Sequence, residues 1–278
     1  MFWRTTISQT GYLLRKKNAV IVFYILLAMV LFNYISNVVA FQGRDVLNMY
    51  QPMKLLLLSY NCTNYNADMT ILLIQLYPLL VVCPAGFALV KEYQTGENVY
   101  MTARLGRKNY IYSKIIAAFF TTTIVFSIPF LIEILLNCVA FPLEATGDLS
   151  NWGYYEKAFT EAVRNYMFSD FYLRAPYLYA IVGTLVFAVL SGILGAFTVA
   201  VSSVVRVKYN VFLFLPVFLL LNLSAMLSPS EGASFRWYDM LLIFNEREKN
   251  IVVFVTGLLA ILIFSVAATL ISSRKDCL

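Results

Sequence analysis

Six long apolar runs, which together carry a single ionisable residue, constrain this chain more than anything else in it. Crossing the hydrocarbon core of a bilayer takes about 20 predominantly apolar residues in helical form. The runs are Ala19–Phe41, Met69–Val90, Ile115–Phe141, Tyr177–Val201, Val211–Leu227 and Ile251–Ile271, and the ionisable residue is Glu133. The fifth run is the shortest and contains Pro216 and Asn222, so its limits are the least sharply drawn. A soluble domain carries about 25% charged residues. Here 13% are charged and 60% hydrophobic, and 22 Phe with 19 Tyr argue equally against disorder. The expectation is one all-α integral membrane domain over residues 1–278, a bundle of six transmembrane helices.

The distribution of Lys and Arg sets the orientation. With the N-terminus inside, the cytoplasmic segments hold thirteen of the 21 basic residues and three acids (Glu92, Glu97 and Asp276), a net +10. The other face holds eight basic residues and eleven acids, a net −3. Both termini are therefore expected in the cytoplasm, and the basic balance needs no nucleic acid to explain it. The first run is too long for the apolar region of a signal peptide and follows a polar stretch over residues 1–18, so it reads as a retained helix.

Histidine is absent, and Cys62, Cys83, Cys138 and Cys277 are scattered without paired spacing. Metal and haem sites draw mainly on imidazole and clustered thiolates. Ser/His and Cys/His nucleophile pairs need the imidazole as base. No catalytic, cofactor or metal site is expected in this chain. Cys83 and Cys138 lie in apolar runs as small packing residues, and Cys62 has no evident disulfide partner.

The connecting segments carry patterns of their own. In residues 1–18, Trp3, Ile7 and Leu14 share a helical face while Arg4, Arg15 and Lys16 lie elsewhere, as in a helix at the headgroup plane over anionic lipid. A polar tail that only delivers positive charge is the alternative. The extracytoplasmic loop 142–176 places Tyr155, Phe159, Ala162 and Tyr166 on one helical face, with Lys157 four residues before Glu161. Leu55–Leu58 and Phe235–Phe244 are too apolar for free loops and too short to cross, which points to partial re-entry or interfacial packing. Asn61-Cys62-Thr63 matches the glycosylation pattern, a motif short enough to arise by chance.

The cytoplasmic loop Lys91–Lys114 is unusually organised for its length. Thr95 is placed to cap a short helix, Glu97 to sit in its first turn and Gly106 to end it. Val99 with Ala103, and Met101 with Leu105, make apolar i,i+4 pairs, and Arg107, Lys108 and Lys114 gather at the return to the membrane. Such a helix is either a docking element for a soluble partner or a topological anchor.

At this loop the sequence resembles the permease subunits of bacterial type 2 ATP-binding-cassette exporters. Those permeases often read E-x-x-x-G at the end of the second span, then a short helix, then S/T-R or G-R, a tyrosine and a lysine. The matching positions are Glu92, Gly96, Arg107, Tyr110 and Lys114, and Arg274-Lys275-Asp276-Cys277-Leu278 resembles the family's C-terminal ending. The resemblance implies a permease in the bacterial plasma membrane, working with a second permease protomer of the same or a related chain. The short helix would be the coupling helix, with Glu92, Thr95, Gly96, Met101, Arg104 and Arg107 in the segment that meets a cytoplasmic ABC ATPase subunit. The chain has no G-x-x-x-x-G-K-[ST] phosphate loop. ATP and Mg would accordingly be bound by the partner ATPase.

Within the spans, Glu133 is costly at membrane depth and is expected either to act directly in transport or to make a structural polar contact. Ala188, Gly192, Ala196 and Ala200 form a small-residue ladder in the fourth span, open to a helix of this chain or of a second protomer. Other readings consistent with the sequence are a self-contained secondary carrier or channel built on Glu133, and a non-transporting membrane anchor. Nothing in the spans specifies a substrate.

Overall fold

Long apolar runs become long helices, since a backbone in lipid must satisfy its own hydrogen bonds. The computed structural model describes residues 2–43, 52–60, 67–141, 167–205, 210–226, 237–242, 244–245 and 251–274. In chain order the helices are α1 (Phe2–Leu14), α2 (Lys17–Phe41), α3 (Ala67–Val82), α4 (Ala88–Thr95), α5 (Glu97–Leu105) and α6 (Arg107–Ala140). They continue as α7 (Ser169–Arg174), α8 (Pro176–Val204), α9 (Leu215–Met226), α10 (Trp237–Leu241) and α11 (Ile251–Arg274). Short 3-10 turns occupy Pro52–Leu55 and Asn210–Phe214, and β1 (Ser59–Tyr60) pairs in parallel with β2 (Phe244–Asn245).

Among the described residues, α2, α6, α8 and α11 are long and apolar enough to cross a membrane. The chain is a multi-pass helical membrane protein. The second and fifth apolar runs take another form. The run Met69–Val90 divides into α3 and α4 at a turn over 83–87. Pro84 has no N–H for a helical bond there. Gly86 lies so close to its surroundings that a Cβ would be 2.6 Å from the Val82 carbonyl oxygen and 3.0 Å from Thr198 Cγ2. Helix α3, which starts just ahead of the run, has 16 residues and is about 24 Å long. In the fifth run a 3-10 turn leads into α9, whose second residue is Pro216, where a missing N–H costs a helix little. Asn222 turns its amide back onto the Phe218 carbonyl at 2.9 Å, hiding its polarity within its own helix.

The bundle is built around α6 and α8. In its most apolar window α8 is 56% buried, against 28% for the peripheral α11. The small-residue ladder makes this pairing possible from inside the chain. A Cβ on Gly192 would overlap Thr123 Oγ1 and lie 2.9 Å from the Phe119 carbonyl oxygen, and one on Gly195 would lie 2.6 Å from Thr122 Oγ1. Ala188 and Ala200 are fully buried and Ala196 partly so. Between the helices sits an aromatic group in which Phe187 stacks with Tyr77, Phe126 and Phe130 at 5.3–5.9 Å between centroids. Tyr77 and Ser191 share a 2.9 Å hydrogen bond there.

Helix α1 packs along α6 with Thr6, Gln9 and Leu13 inward, and turns Trp3 and Ile7 outward at 64% and 71% exposure. A helix that exposes its large apolar residues and buries polar ones inverts the arrangement suited to water. Leu14 departs from the sequence expectation: it packs partly buried against the main core and leaves the Trp3–Ile7 face.

Of the apolar loops, Leu55–Leu58 is buried in the core together with Met53, and Phe244 pairs with Ser59 through the backbone. Trp237 also packs inward, against Phe254 at 5.2 Å between ring centroids. The helix read over Tyr155–Tyr166, the Asn61–Thr63 motif and the terminal Lys275–Leu278 lie outside the described residues.

Candidate functional site

Two buried carboxylates, at opposite ends of the bundle, gather most of the polar chemistry. The first is Glu92, on α4. Its Oε2 accepts from the Tyr110 hydroxyl and its Oε1 from the Lys114 ammonium, and Glu92 and Lys114 form an ion pair. Tyr110 and Lys114 stand four residues apart on α6, one helical turn, so one face of α6 reaches both oxygens. All three side chains are buried, at 1–5% exposure. Leu13, Leu89, Tyr110 and Ile111 form an apolar cluster around them, with Met101 and Leu105 of α5 packed partly buried against it.

The end of α1 covers this ion pair. Lys16 Nζ lies 4.6 Å from the centre of the Tyr12 ring, and Lys114 Nζ lies 6.0 Å from it, both within cation–π range. Burial, and then the neighbouring Lys114 charge, lower the Lys16 pKa. Burial raises that of Tyr12, with the Glu97 and Glu92 charges adding to it.

Between the two arms of this clasp lies α5. Gly96 precedes it with φ 76° and ψ 1°, and Gly106 follows it with φ 75° and ψ 140°. The left-handed region at Gly96 favours glycine, and the conformation at Gly106 is accessible essentially to glycine alone. Each marks a sharp change of direction, so α5 stands as a separate short helix across the tips of α4 and α6. Val99, Tyr100, Ala103 and Arg104 are exposed on it, Val99 at 64% and Tyr100 at 81%.

One expectation for this loop is corrected. Thr95 does not cap α5: it is the last residue of α4, and its hydroxyl donates back to the Lys91 carbonyl at 3.1 Å. Glycine at position 96 takes the N-terminal boundary of α5 instead, leaving no side-chain cap. Arg107, at the return to the membrane, is half-buried, and its Nε donates to the Ser272 carbonyl at 3.0 Å near the end of α11. A cation at a helix C-terminus is favoured by the unsatisfied carbonyls there. Ser272 Oγ in turn donates to the Ser203 carbonyl near the end of α8 at 3.1 Å. Arg107 thus ties α6 to α11, and Ser272 ties α11 to α8, whereas Arg104 is exposed on the last turn of α5.

The second carboxylate is Glu133, 1% exposed on α6. Its Oε1 accepts from Asn33 Nδ2 on α2 and from the Leu57 backbone N–H, each at 2.7 Å. Asn33 and Asn37 both donate to the Leu55 carbonyl at 2.9 Å. On the other side Thr70 of α3 donates to the Leu57 carbonyl at 3.0 Å. The sequence marked Glu133 and the apolar Leu55–Leu58 separately, and the structure joins them. The signal available for Asn33 and Asn37 was their four-residue spacing in an otherwise apolar span, which aligns two amides on one helix face.

These features define a class: a multi-pass helical membrane protein with an ion-paired carboxylate at one end and a hydrogen-bonded carboxylate at the other. Comparison with protein-family models, curated proteins and solved structures gives no match.

Proposed function

We propose that this chain is the membrane-spanning permease subunit of an ABC-type exporter, with six spans and both termini in the cytoplasm. A separate ATPase chain binds ATP and Mg and docks on α5. A second permease protomer completes the translocation path across the bacterial plasma membrane. The reading takes its six crossings from the apolar runs, counting α3 with α4 and the turn with α9 as the second and fifth. Its sidedness comes from the net +10 and −3 of the two faces.

The observation that carries this reading is α5 itself. A glycine-bracketed helix exposes Val99, Tyr100, Ala103 and Arg104 at the basic end of the bundle, while its two supporting arms are joined beneath it by Glu92, Tyr110 and Lys114. Exposed apolar residues with one arginine suit a protein cleft that offers apolar walls and a carboxylate. A buried ion pair between the arms lets a force on α5 reach α4 and α6 together, rather than bending one of them.

The test is co-purification of the full chain with an ATPase that carries a phosphate loop. Tyr100→Ala with Arg104→Glu should reduce retention of that ATPase at least about tenfold, as expected for loss of an aromatic and an arginine anchor. Both side chains are exposed, so the variant's melting temperature should match the parent's. Full retention with α5 so altered, or with Met101→Pro breaking the helix, would refute the docking assignment.

A further inference from the structure

We propose that Glu133 is a positioning residue that holds the segment Pro52–Tyr60 as a strap across one end of the bundle, through hydrogen bonds it accepts. The strap's Met53 and Leu55–Leu58 side chains are at most 5% exposed; Met53 and Leu56–Leu58 enter the main core, and Leu55 packs with Phe141 and Phe41. Its backbone would be costly to bury unpaired. Side chains from three helices meet that need. Glu133 of α6 takes the Leu57 N–H, Asn33 and Asn37 of α2 give to the Leu55 carbonyl, and Thr70 of α3 gives to the Leu57 and Ser59 carbonyls. At its far end the strap pairs with Phe244–Asn245, six residues before the start of α11. An apolar plug with its backbone so fixed excludes water from that end of the bundle.

The donors around Glu133 decide between holding and carrying. Both described contacts to Oε1 are N–H groups, one from Asn33 and one from the backbone. A cation arriving at this oxygen would meet the positive ends of two N–H dipoles. A segment that must not move needs such donors, and an uncharged acceptor oxygen can satisfy them as well. The strap closes the extracytoplasmic end of the path in the transport reading, and rests on that reading only for what passes beneath it.

The test uses the full chain in lipid nanodiscs with Leu57→Cys as reporter, since this change keeps the N–H that Glu133 accepts. A charged maleimide is applied, and labelling at position 57 is read on the isolated peptide. Adding Glu133→Gln keeps an acceptor oxygen, and the labelling rate should stay within about threefold of the parent. Adding Glu133→Leu removes it, and the rate should rise about tenfold or more. If that variant fails to fold, Thr70→Val, which removes one hydroxyl from under Leu57 and leaves the carboxylate, should raise the rate by roughly threefold. Unchanged labelling in every variant that folds overturns the strap. A rate raised as much by Gln as by Leu overturns the acceptor role in favour of the charge itself. Neither readout involves the ATPase, so failure of the docking assignment would leave both results standing.

Discussion

Removing Lys114 while leaving Glu92 is the sharpest perturbation of the clasp beneath α5. The two side chains are 2% and 5% exposed, so Lys114→Met strands a carboxylate in an apolar cluster. Breaking a buried pair by removing one partner costs about 3–5 kcal/mol. The lower end is expected here, because the Lys16 charge lies near enough to interact with Glu92 and Tyr110 still donates to it. About 3 kcal/mol corresponds to a roughly 150-fold change in the folding equilibrium. At about 2–4 °C per kcal/mol the melting temperature should fall by roughly 6–12 °C. The half-buried thiols of Cys83 and Cys138 provide the assay, since a thiol-reactive fluorogenic dye reports their exposure on heating. Glu92→Gln combined with Lys114→Met removes both charges yet keeps an oxygen for Tyr110. This double variant should recover most of the loss, because the cost lies in the unpaired charge. A double variant no more stable than Lys114→Met alone would refute the charge-pair account.

The two glycines around α5 should respond differently. Gly106→Ala forces a side chain into a conformation costing about 1–3 kcal/mol, whereas Gly96→Asn, in the left-handed region that Asn tolerates, should cost under about 1 kcal/mol; thermal melting distinguishes them. At the α6–α8 contact, Gly195→Val should lower stability by about 1–3 kcal/mol through overpacking against Thr122, and should be partly rescued by Thr122→Ala. An undisturbed melting temperature in Gly195→Val would mean that α8 does not approach α6 as described.

Much of the fold was legible because lipid leaves so few options. The ends of α2 and α8 and the C-terminal end of α6 fall near the limits of apolar runs, since hydrophobicity and internal hydrogen bonding agree there; α6 begins at Arg107, eight residues before its run at Ile115, because the polar return of the loop is helical too. The ends of α5 were legible in part. Gly106 was read correctly as a stop, but Thr95 was assigned a cap that its own back-bond to Lys91 precludes. A threonine near a helix start can bond forward or backward, and only the position of the preceding helix decides. The break at 83–87 has a sequence signal in Pro84 with Gly86, which marks a kink, but hydropathy reads the run as continuous and such residues also occur in unbroken spans. Their effect depends on Thr198, more than a hundred residues away in sequence. The partners of Glu133 were hidden for the same reason: Asn33 lies 100 residues from it.

The two carboxylates show why a buried acid cannot be read from its residue type. Glu133, alone in its span, was read either as a site for transport or as a structural polar contact, and its described contacts are neutral N–H donors. Glu92 stood in a polar loop among ordinary basic residues, yet it is the one that holds a buried cation. The difference follows from what each must join. Glu133 secures backbone, whose N–H groups an amide oxygen can also satisfy. Glu92 joins two helix arms through an ammonium and a hydroxyl, where loss of either charge strands the other. Charge therefore matters most at the end where α5 is presented, and hydrogen-bond geometry at the end the strap covers. An amide in place of the acid should be tolerated at position 133 and felt at position 92, the reverse of what depth in the membrane alone implies.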